Sequence, residues 1–359
     1  MKYEPVLSIG GHEISNISRA FFVADLAANH DGSLQRAKDL IALAKESGAD
    51  AVKFQHFLAD KIVSDRGFRS LGSQLGHQAR WEKPVFEIYR QYECDRNWTE
   101  ELYETAKRED VVFMTSPYDF DAVDMLDPYL PAYKIGSGDI TWLAFLEKVA
   151  SKGKPVLMAA GASTMNETVR AVDTLLTGNR RIVLMQCNTN YTADPSNFQH
   201  INLNVLRTFA RRYPMMPLGL SDHTHGHTTV LGAIALGARV IEKHFTDDNA
   251  RKGPDHQFAL NPRTWREMVV AANELQDALG DGIKRVEENE TATVMLQRRC
   301  IRAARDIKFG ERITNDMVEV LRPAPPNAFE PHCIDDLLGK ALAVDKVRGD
   351  ALYPNDLTD

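Results

Sequence analysis

The chain has 359 residues, of which 43% are hydrophobic and 26% charged, and its formal net charge is −7. This length exceeds what one hydrophobic core usually holds, so we expect one large globular domain and a small one. The acidic balance argues against nucleic-acid binding, which needs a basic surface. It does not exclude an anionic substrate, because a phosphate site needs only a few local cations and N–H groups.

The sequence shows no sign of export or membrane insertion. The N-terminal segment MKYEPVLSIGG lacks the basic and apolar regions of a signal peptide, and the most apolar stretch, 230–241, is too short to cross a bilayer. No CxxC spacing occurs among the cysteines, which are Cys94, Cys187, Cys300 and Cys333. We therefore predict a cytoplasmic protein with neither a disulfide framework nor a zinc finger.

Between about residues 20 and 280, short apolar runs alternate with amphipathic helical patterns. The predicted strands are Phe21–Ala27, Ala51–Gln55, Val111–Ser116, Ala132–Ser137, Pro155–Ala160, Ile182–Cys187, Pro217–Ser221 and Ala238–His244. Helical patterns include Leu34–Ser47, Met165–Leu176 and Thr264–Leu279. Eight strand–helix units over roughly 250 residues predict a (β/α)8 barrel. The alternative, a Rossmann-like sheet, would need a GxGxxG motif after the first strand, and none is present.

Three segments lie outside this repeat. Gly10-Gly11 separates two short apolar runs, which predicts a hairpin that caps the bottom of the barrel. A long insertion, 56–96, predicts either a substrate loop or a structural subdomain. The charged stretch 284–290 predicts a helical linker. We therefore divide the chain into a barrel at 1–283, a linker at 284–297, and a small strand-rich domain at 298–359 that needs another surface for stability.

The polar residues of the repeat fall where chemistry is expected. In a (β/α)8 barrel the active site lies at the C-terminal strand ends, because the loops there meet at one mouth. Seven of the eight predicted strands end in ionisable or hydroxyl side chains. In chain order these are Asp25; Lys53 and Gln55; Thr115 and Ser116; Lys134, Ser137 and Asp139; Asn188, Thr189 and Tyr191; Ser221 and His223; Glu242 and His244.

Two lysines, Lys53 in AVKFQ and Lys134 in AYKIGSGD, lie inside otherwise apolar strands. A buried ammonium group is costly unless an anion compensates it. An internal carboxylate is one such anion, but two lysines flanked by hydroxyl groups favour a bound phosphate. Ser116, Ser137 and Ser221 can donate hydrogen bonds to the same phosphate.

His223 and His244 end the seventh and eighth predicted strands, which are neighbours in a barrel. Two imidazoles with open water positions suit a catalytic divalent metal, although each histidine could instead be a hydrogen-bonded structural residue. We predict a metal site, with Mn2+ as first choice and Mg2+, Co2+ or Zn2+ as alternatives. Asp255, on the loop beyond His244, can bind metal-held water or a sugar hydroxyl.

Several segments resemble, in order and spacing, the N-acetylneuraminate (sialic acid) synthases and their pseudaminic and legionaminic acid relatives. They are ADLAANHDGSLQRAKDLIALAKESGADAVKFQ (24–55), TSPYDFDAVDML (115–126), AYKIGSGDIT (132–141), GLSDHTHG (219–226), GARVIEKHFT (237–246) and KGPDHQFAL (252–260). The tail, RDIKFGERIT to LLGKALAVD, is similar to the antifreeze-like SAF domain that follows the barrel in this family. The resemblance covers nearly the whole chain.

The resemblance implies an enzyme that condenses phosphoenolpyruvate with an N-acylated hexosamine aldehyde and releases phosphate. It also implies a domain-swapped homodimer, in which Arg322 of the SAF domain reaches the active site of the partner. We predict Asp25, Lys53 and Lys134 as catalytic residues and His223 and His244 as metal ligands. The predicted substrate-binding residues are Gln55, Ser116, Ser137, Asp139, Thr189, Tyr191, Ser221, Asp255 and Arg322.

The sequence departs from the family pattern on the acceptor side. The family usually has glutamate where Asp25 and Asp139 stand, and often serine where Ala159 stands. The acceptor sugar therefore stays open. Two other functions stay open as well: a phosphoenolpyruvate-dependent aldol synthase with another sugar acceptor, and a non-catalytic sugar-binding relative.

Overall fold

The computed structural model describes residues 3–358 and divides the chain into two compact units, Met1–Gly280 and Asp281–Asp359. The strands are β1 (Leu7–Ile9), β2 (His12–Ile14), β3 (Phe21–Asp25), β4 (Ala51–His56), β5 (Val112–Pro117), β6 (Tyr133–Ile135), β7 (Val156–Ala159), β8 (Ile182–Cys187), β9 (Leu218–Asp222), β10 (Ala238–His244), β11 (Cys300–Ala303), β12 (Val318–Leu321), β13 (Ala341–Leu342) and β14 (Leu357–Thr358). The α-helices are α1 (Leu34–Glu46), α2 (Ala59–Ile62), α3 (Asp65–Ser70), α4 (Val85–Gln91), α5 (Thr99–Arg108), α6 (Phe120–Leu126), α7 (Leu143–Ala150), α8 (Met165–Leu176), α9 (Val205–Arg212), α10 (Thr228–Ala235), α11 (Pro262–Leu279), α12 (Thr291–Gln297) and α13 (Ile334–Leu337).

The first unit is a (β/α)8 barrel, as predicted. Strands β3 to β10 form one eight-stranded sheet in the order β5-β4-β3-β10-β9-β8-β7-β6, with parallel pairing throughout. The two strands at the ends of this order, β5 and β6, lie side by side, so the sheet curls into a nearly closed barrel. Each predicted strand is present, with its ends within two residues of the predicted bounds.

The helices around the barrel follow from their apolar spacing and their caps. In α1, Ala37, Leu40, Ile41 and Ala44 follow the i, i+3, i+4, i+7 pattern of one helix face, and all four are buried. The N-terminus of α8 carries a capping box between Thr164 and Glu167. The apolar face packs α1 against the outside of the sheet, and the capping box fixes where α8 begins.

Every second residue of a strand points into the barrel, and successive inward-facing residues stack along the barrel axis. In this barrel they form two layers. The layer nearer the N-terminal strand ends is apolar. This apolar layer consists of Phe21, Val23, Ala51, Met114, Ala132, Leu157, Val183, Met185 and Val240. The β1–β2 hairpin closes it from below with Leu7, Ile9 and Ile14. Its turn is Gly10-Gly11, where both residues have positive φ, a backbone conformation that favours glycine.

The insertion after β4 covers part of the opposite, C-terminal rim. It folds into α2, α3 and α4 with an aromatic cluster in which Tyr89 contacts Phe57 and Trp81 at ring-centroid distances of 5.3 and 6.3 Å. His77 of the insertion lies 4.8 Å from Tyr191, on the loop after β8. The insertion therefore reaches the loops that surround the barrel mouth.

The second unit contains two small antiparallel sheets, β11–β12 and β13–β14, around an apolar core that includes Ile301, Ile313 and Leu352. The predicted helix over 284–290 is wrong at 284–287, which has no regular structure. A single apolar residue, Val286, lies within 284–290, so this stretch has no apolar face to bury. The α-helix of this region is α12, which begins at Thr291.

No helix within residues 3–358 combines the length and the apolar run that crossing a bilayer requires.

Candidate active site

Above the apolar layer, the inward-facing side chains of the same strands are polar. We call this set the polar layer: Asp25, Lys53, Gln55, Ser116, Lys134, Ser221, Glu242 and His244. All of them except Gln55 are buried. The polar layer therefore lies at the C-terminal rim but is shielded from bulk water.

Lys53 forms a buried ion pair with Asp25. Its Nζ lies 2.7 Å from Asp25 Oδ2, and the Lys53 side chain is only 2% exposed. The same oxygen accepts a hydrogen bond from Gln55 Nε2 at 3.2 Å and lies 3.6 Å from His244 Nε2. Burial alone would lower the pKa of Lys53, but Asp25 and Glu242 outweigh it and raise that pKa. Lys53 is therefore a stable cation, and Asp25 links it to His244.

Lys134 pairs with Glu242 in a similar way. Its Nζ lies 3.3 Å from Glu242 Oε1, an oxygen that also accepts a hydrogen bond from Ser221 Oγ at 3.0 Å. The other carboxylate oxygen, Glu242 Oε2, is buried without a hydrogen-bond partner, and so is Ser116 Oγ. Buried polar atoms without partners are rare in folded proteins, so these two atoms indicate a place where water or a ligand completes the hydrogen bonding.

The internal ion pairs considered from the sequence are thus present for both lysines. Two ammonium groups face two carboxylates, so the polar layer is balanced in charge when nothing is bound. An incoming phosphate can replace a carboxylate as partner of each lysine, because the pairs lie at the rim rather than at the bottom of the barrel.

His223 and His244 lie close together at the rim, with ring centroids 5.3 Å apart. His223 Nδ1 lies 3.0 Å from the carbonyl oxygen of Asn188, so Nε2 is the nitrogen that can ligate a metal once it carries no proton. His244 Nδ1 is buried with no hydrogen-bond partner and lies 3.7 Å from Asp255 Oδ2. Burial lowers the pKa of His244 to about 3, so this imidazole is neutral.

These residues fit a metal ion held by two imidazoles. A neutral His244 with an orphaned nitrogen is the form that ligates a metal. For His223, burial opposes protonation, but contacts with Cys187 and with the Asn188 carbonyl outweigh it and raise the pKa, so metal binding would displace a proton there. Within residues 3–358 no group of three or more His, Cys, Asp or Glu side chains is arranged to hold a metal. The other ligands would therefore be water and substrate, as in open catalytic sites.

Ser137, Thr189 and Gly161 form a tight corner beside Lys134. Ser137 Oγ accepts a hydrogen bond from the Gly161 N–H at 3.0 Å. A Cβ at Gly161 would lie 2.1 Å from Thr189 Oγ1 and 2.8 Å from Ser137 Oγ. Only glycine fits here, because it lets both hydroxyl groups approach the backbone.

Asp139 follows this corner on a short 3-10 turn, Ser137–Asp139. Burial raises its pKa to about 6, although Lys134 opposes the shift. A carboxyl group with this pKa exchanges a proton readily near neutral pH.

Tyr191 and Asp255 lie on the other side of the histidine pair. The Tyr191 ring centroid is 4.3 Å from that of His223 and 6.2 Å from that of His244. Asp255 Oδ2 accepts a hydrogen bond from the Ala28 N–H at 3.2 Å, which fixes the loop after β10 next to the loop after β3. Both residues therefore border the predicted metal site.

Arg322 is the one predicted site residue that lies in the second unit. It follows β12, is exposed, and donates from Nε to the carbonyl oxygen of Gln297 at 2.6 Å. Its contact with the active site of a second copy stays a prediction.

Comparison with known proteins decides the family. The model of the NeuB family matches residues 40–284, and the model of the SAF domain matches residues 298–358. The chain belongs to the NeuB family. The N,N'-diacetyllegionaminic acid synthase of Campylobacter jejuni is 34% identical over 90% of this chain and 96% of its own length. The pseudaminic acid synthase of the same species is 32% identical, covering 94% and 96% of the two chains.

Two further relatives of this NeuB-family chain widen the comparison. The human N-acetylneuraminate-9-phosphate synthase is 31% identical over 90% of this chain and 89% of its own length. The crystal structure of the spore coat polysaccharide biosynthesis protein SpsE of Bacillus subtilis superposes with a TM-score of 0.65 at 28% identity, covering 99% of each chain. Relatives at nearly equal identity thus carry names of three different products, so overall similarity does not choose the acceptor.

Sequence reasoning missed three residues of the site. Glu242 was noted only as part of a strand end, although it precedes His244 by two residues and must share its inward direction. The ring centroid of Phe258 lies 4.9 Å from that of His244 and 5.8 Å from that of Tyr191. His77 contacts Tyr191 from the insertion. The strand period could have identified Glu242, whereas nothing in the local sequence marks the loop residues Phe258 and His77.

Proposed function

We propose that this NeuB-family chain condenses phosphoenolpyruvate with the open-chain aldehyde of an N-acylated hexosamine. The product would be a nine-carbon sialic-acid-like sugar, and phosphate would leave by C–O cleavage. The chain would accordingly be a phosphoenolpyruvate-dependent transferase that forms a C–C bond.

One observation carries this proposal: two buried ammonium groups and two imidazoles meet at a single barrel rim. Asp25 contacts both Lys53 and His244, while Glu242 contacts Lys134 and acts on the pKa of Lys53. A phosphate-bearing substrate and a carbonyl substrate can therefore lie side by side, as joining the two requires.

Lys53 and Lys134 would bind the phosphate and carboxylate of phosphoenolpyruvate. The hydroxyl groups of Ser116, Ser137 and Ser221 would add hydrogen bonds, and the orphaned Ser116 Oγ is free to do so. Preorganised donors of this kind contribute on the order of 3 kcal/mol each to stabilising developing charge.

In the reaction, C3 of phosphoenolpyruvate attacks the aldehyde carbon, and the aldehyde oxygen takes a proton to become a hydroxyl. Water then adds to C2 and gives up one proton, which leaves a C2 hydroxyl. The C2–O bond to phosphate breaks as that hydroxyl loses its proton and becomes the C2 carbonyl. Asp25 is placed to accept the proton of the water, because phosphate binding to Lys53 releases its carboxylate. Asp139, with a pKa of about 6, can give a proton to the aldehyde oxygen as it becomes a hydroxyl, or to the leaving phosphate.

His223 and His244 would hold the divalent metal, with Mn2+ as first choice. When bound, the metal would supply Lewis-acid polarisation and orientation of the aldehyde carbonyl. His244 has the neutral imidazole this role needs, and Asp25 and Asp255 flank it.

The acceptor would lie against an aromatic wall. Tyr191 and Phe258 line the histidine pair, and His77 closes over Tyr191 from the insertion. Flat rings of this kind suit the apolar face of a sugar chain, while Gln55, Asp139 and Asp255 would contact its polar groups. Completion of the site by Arg322 of a second copy is part of the same proposal.

The test is a phosphate-release assay with phosphoenolpyruvate, Mn2+ and a panel of 2-acetamido hexoses, with and without a 6-phosphate. We expect phosphate release that depends on both the metal and one acceptor of the panel. Release with a 6-phosphorylated 2-acetamido hexose would fit the proposal and identify the acceptor, whereas release only with shorter sugars would indicate another aldol synthase. No release with any acceptor would indicate a sugar-binding protein, and unchanged activity under metal chelation would remove the metal from the proposal.

A further inference from the structure

A third buried ion pair, formed by Asp222 and Lys243, lies just outside the barrel wall, behind the two histidines. Asp222 and Lys243 are both 1% exposed, and their side chains point away from the barrel interior, opposite to Ser221 and Glu242. Neither group reaches the polar layer, so neither takes part in the chemistry proposed above.

The pairing register places this ion pair immediately before the histidines. Lys243 is in register with Asp222 across β10 and β9, and each is followed by one histidine, His244 and His223 respectively. On its other side, Lys243 is in register with Ala24, which is apolar. The charge pair is therefore confined to the two strands that carry the imidazoles.

The Lys243 ammonium group contacts the residues on both sides of His223, the Asp222 carboxylate and the Thr224 backbone carbonyl. Its Nζ donates to Asp222 Oδ2 at 2.5 Å and to the carbonyl oxygen of Thr224 at 2.6 Å. Asp222 in turn accepts hydrogen bonds from the hydroxyl groups of Thr224 and Thr229 at 2.8 and 2.7 Å. Asp222 and Thr224, which flank His223, thus both bind Lys243 Nζ. Lys243 itself directly precedes His244.

Stability alone is a weak explanation for this arrangement. Two buried charges carry a large desolvation cost, and replacing such a pair by apolar side chains of similar volume is often neutral or stabilising. This pair contacts the residues before and after His223 and directly precedes His244, which is the position of a support for those two predicted metal ligands.

We infer that Lys243 is a positioning residue that fixes the spacing and direction of the His223 and His244 imidazoles through Asp222 and the Thr224 carbonyl. This inference rests on the proposed metal site. The Lys243 ammonium group acts through the Asp222 carboxylate and the Thr224 carbonyl, and it touches neither metal nor substrate.

The experiment compares Mn2+ affinity and unfolding free energy in the full-length, metal-stripped protein. The variants are Lys243→Met, the double variant Lys243→Met with Asp222→Leu, and His223→Ala as the reference for a lost ligand. Arg96→Met is the matched control, because it breaks the part-buried Arg96–Asp119 ion pair at another place on the barrel. Isothermal titration measures Mn2+ affinity, and the visible spectrum of bound Co2+ reports the ligand geometry.

We expect Lys243→Met to lower both stability and Mn2+ affinity, since it leaves Asp222 buried and unpaired. The double variant removes that charge, so its stability should recover while its Mn2+ affinity stays about 10- to 100-fold below that of the unchanged protein. Its Co2+ spectrum should differ as well. Arg96→Met should lose stability and keep the affinity.

Recovery of Mn2+ affinity together with stability in the double variant would overturn the positioning role and leave the metal site intact. Failure of the unchanged protein to bind Mn2+ at all would overturn the metal site and the positioning role together. Because the double variant carries no unpaired buried charge, the test holds even if Lys243→Met alone fails to fold.

Discussion

The two layers of the barrel interior differ sharply although they share the same strands. On β4, Ala51 of the apolar layer is followed two residues later by Lys53 of the polar layer. The same step leads from Ala132, immediately before β6, to Lys134 on β6. Two residues of strand span about 6.6 Å. Over that distance the barrel changes from a layer that stabilises the fold by apolar burial to one that holds compensated charges for chemistry. Variants in the two layers should therefore fail in different ways.

The largest effect is expected for Lys134→Met in the polar layer. It removes one phosphate partner and leaves Glu242 buried without its cation, so we expect kcat/KM to fall by about 10³-fold or more. Steady-state phosphate release measures this. The control is Lys148→Met, which breaks a surface pair with Asp124 and should leave activity unchanged. A loss of less than tenfold in Lys134→Met would contradict the phosphate role of this lysine.

Leu157→Ala tests the apolar layer, where we expect a loss of stability rather than of activity. Leu157 is fully buried between the hairpin and the strands, so its truncation should lower the free energy of unfolding by about 2–5 kcal/mol. Denaturant unfolding measures this loss. At a temperature where the variant stays folded, its kcat should remain within a few-fold of the unchanged protein. A large loss of kcat in folded protein would show that the two layers are not separable.

Gly161→Ala tests whether the corner formed by Ser137, Thr189 and Gly161 takes part in substrate binding. The new Cβ must displace Thr189 and Ser137, at a cost of about 1–3 kcal/mol, and we expect the KM for phosphoenolpyruvate to rise. Gly138→Ala is the matched control, because no atom lies within 4 Å of a Cβ built there. Equal KM values in the two alanine variants would exclude a role for this corner in binding.

Asp139→Asn should change the free energy of unfolding by the smallest amount of these variants, and the change should depend on pH. Burial raises the Asp139 pKa to about 6, so its ionised form destabilises the fold. Below about pH 4 the carboxyl is protonated in the folded and unfolded chain, and the variant should match the unchanged protein. Between about pH 4 and pH 6 the unfolded chain releases this proton while the folded chain keeps it, so the unchanged protein loses stability. Above pH 6 the variant should be more stable by about 1–2 kcal/mol, since the group is partly exposed. Unfolding curves at pH 4 and pH 8 with the same difference would refute this.

The fold was predictable because its signals are local and repeated. Eight apolar runs, each followed by a helical pattern, predict both the strands and the barrel, and the strand ends predict where the polar residues meet. The linker helix failed because a run of charges without an apolar stripe carries no packing information.

The contents of the site were only partly predictable. The strand ends locate both buried lysines and both histidines, but a sequence does not show which carboxylate each lysine faces. That depends on barrel closure, which brings Glu242 of β10 to Lys134 of β6 across the interior. Phe258 and His77 reach the site by loop folding, which leaves no periodic trace.

The central claim is that one rim holds a metal on two imidazoles beside a phosphate on two lysines. Crystals grown with Mn2+ and phosphoenolpyruvate test it directly through an anomalous difference map. We expect one manganese peak at about 2.0–2.3 Å from a nitrogen of both His223 and His244, with the substrate anion against Lys53 and Lys134. A manganese peak away from that histidine pair, or an anion bound elsewhere while both lysines keep their carboxylates, would contradict it.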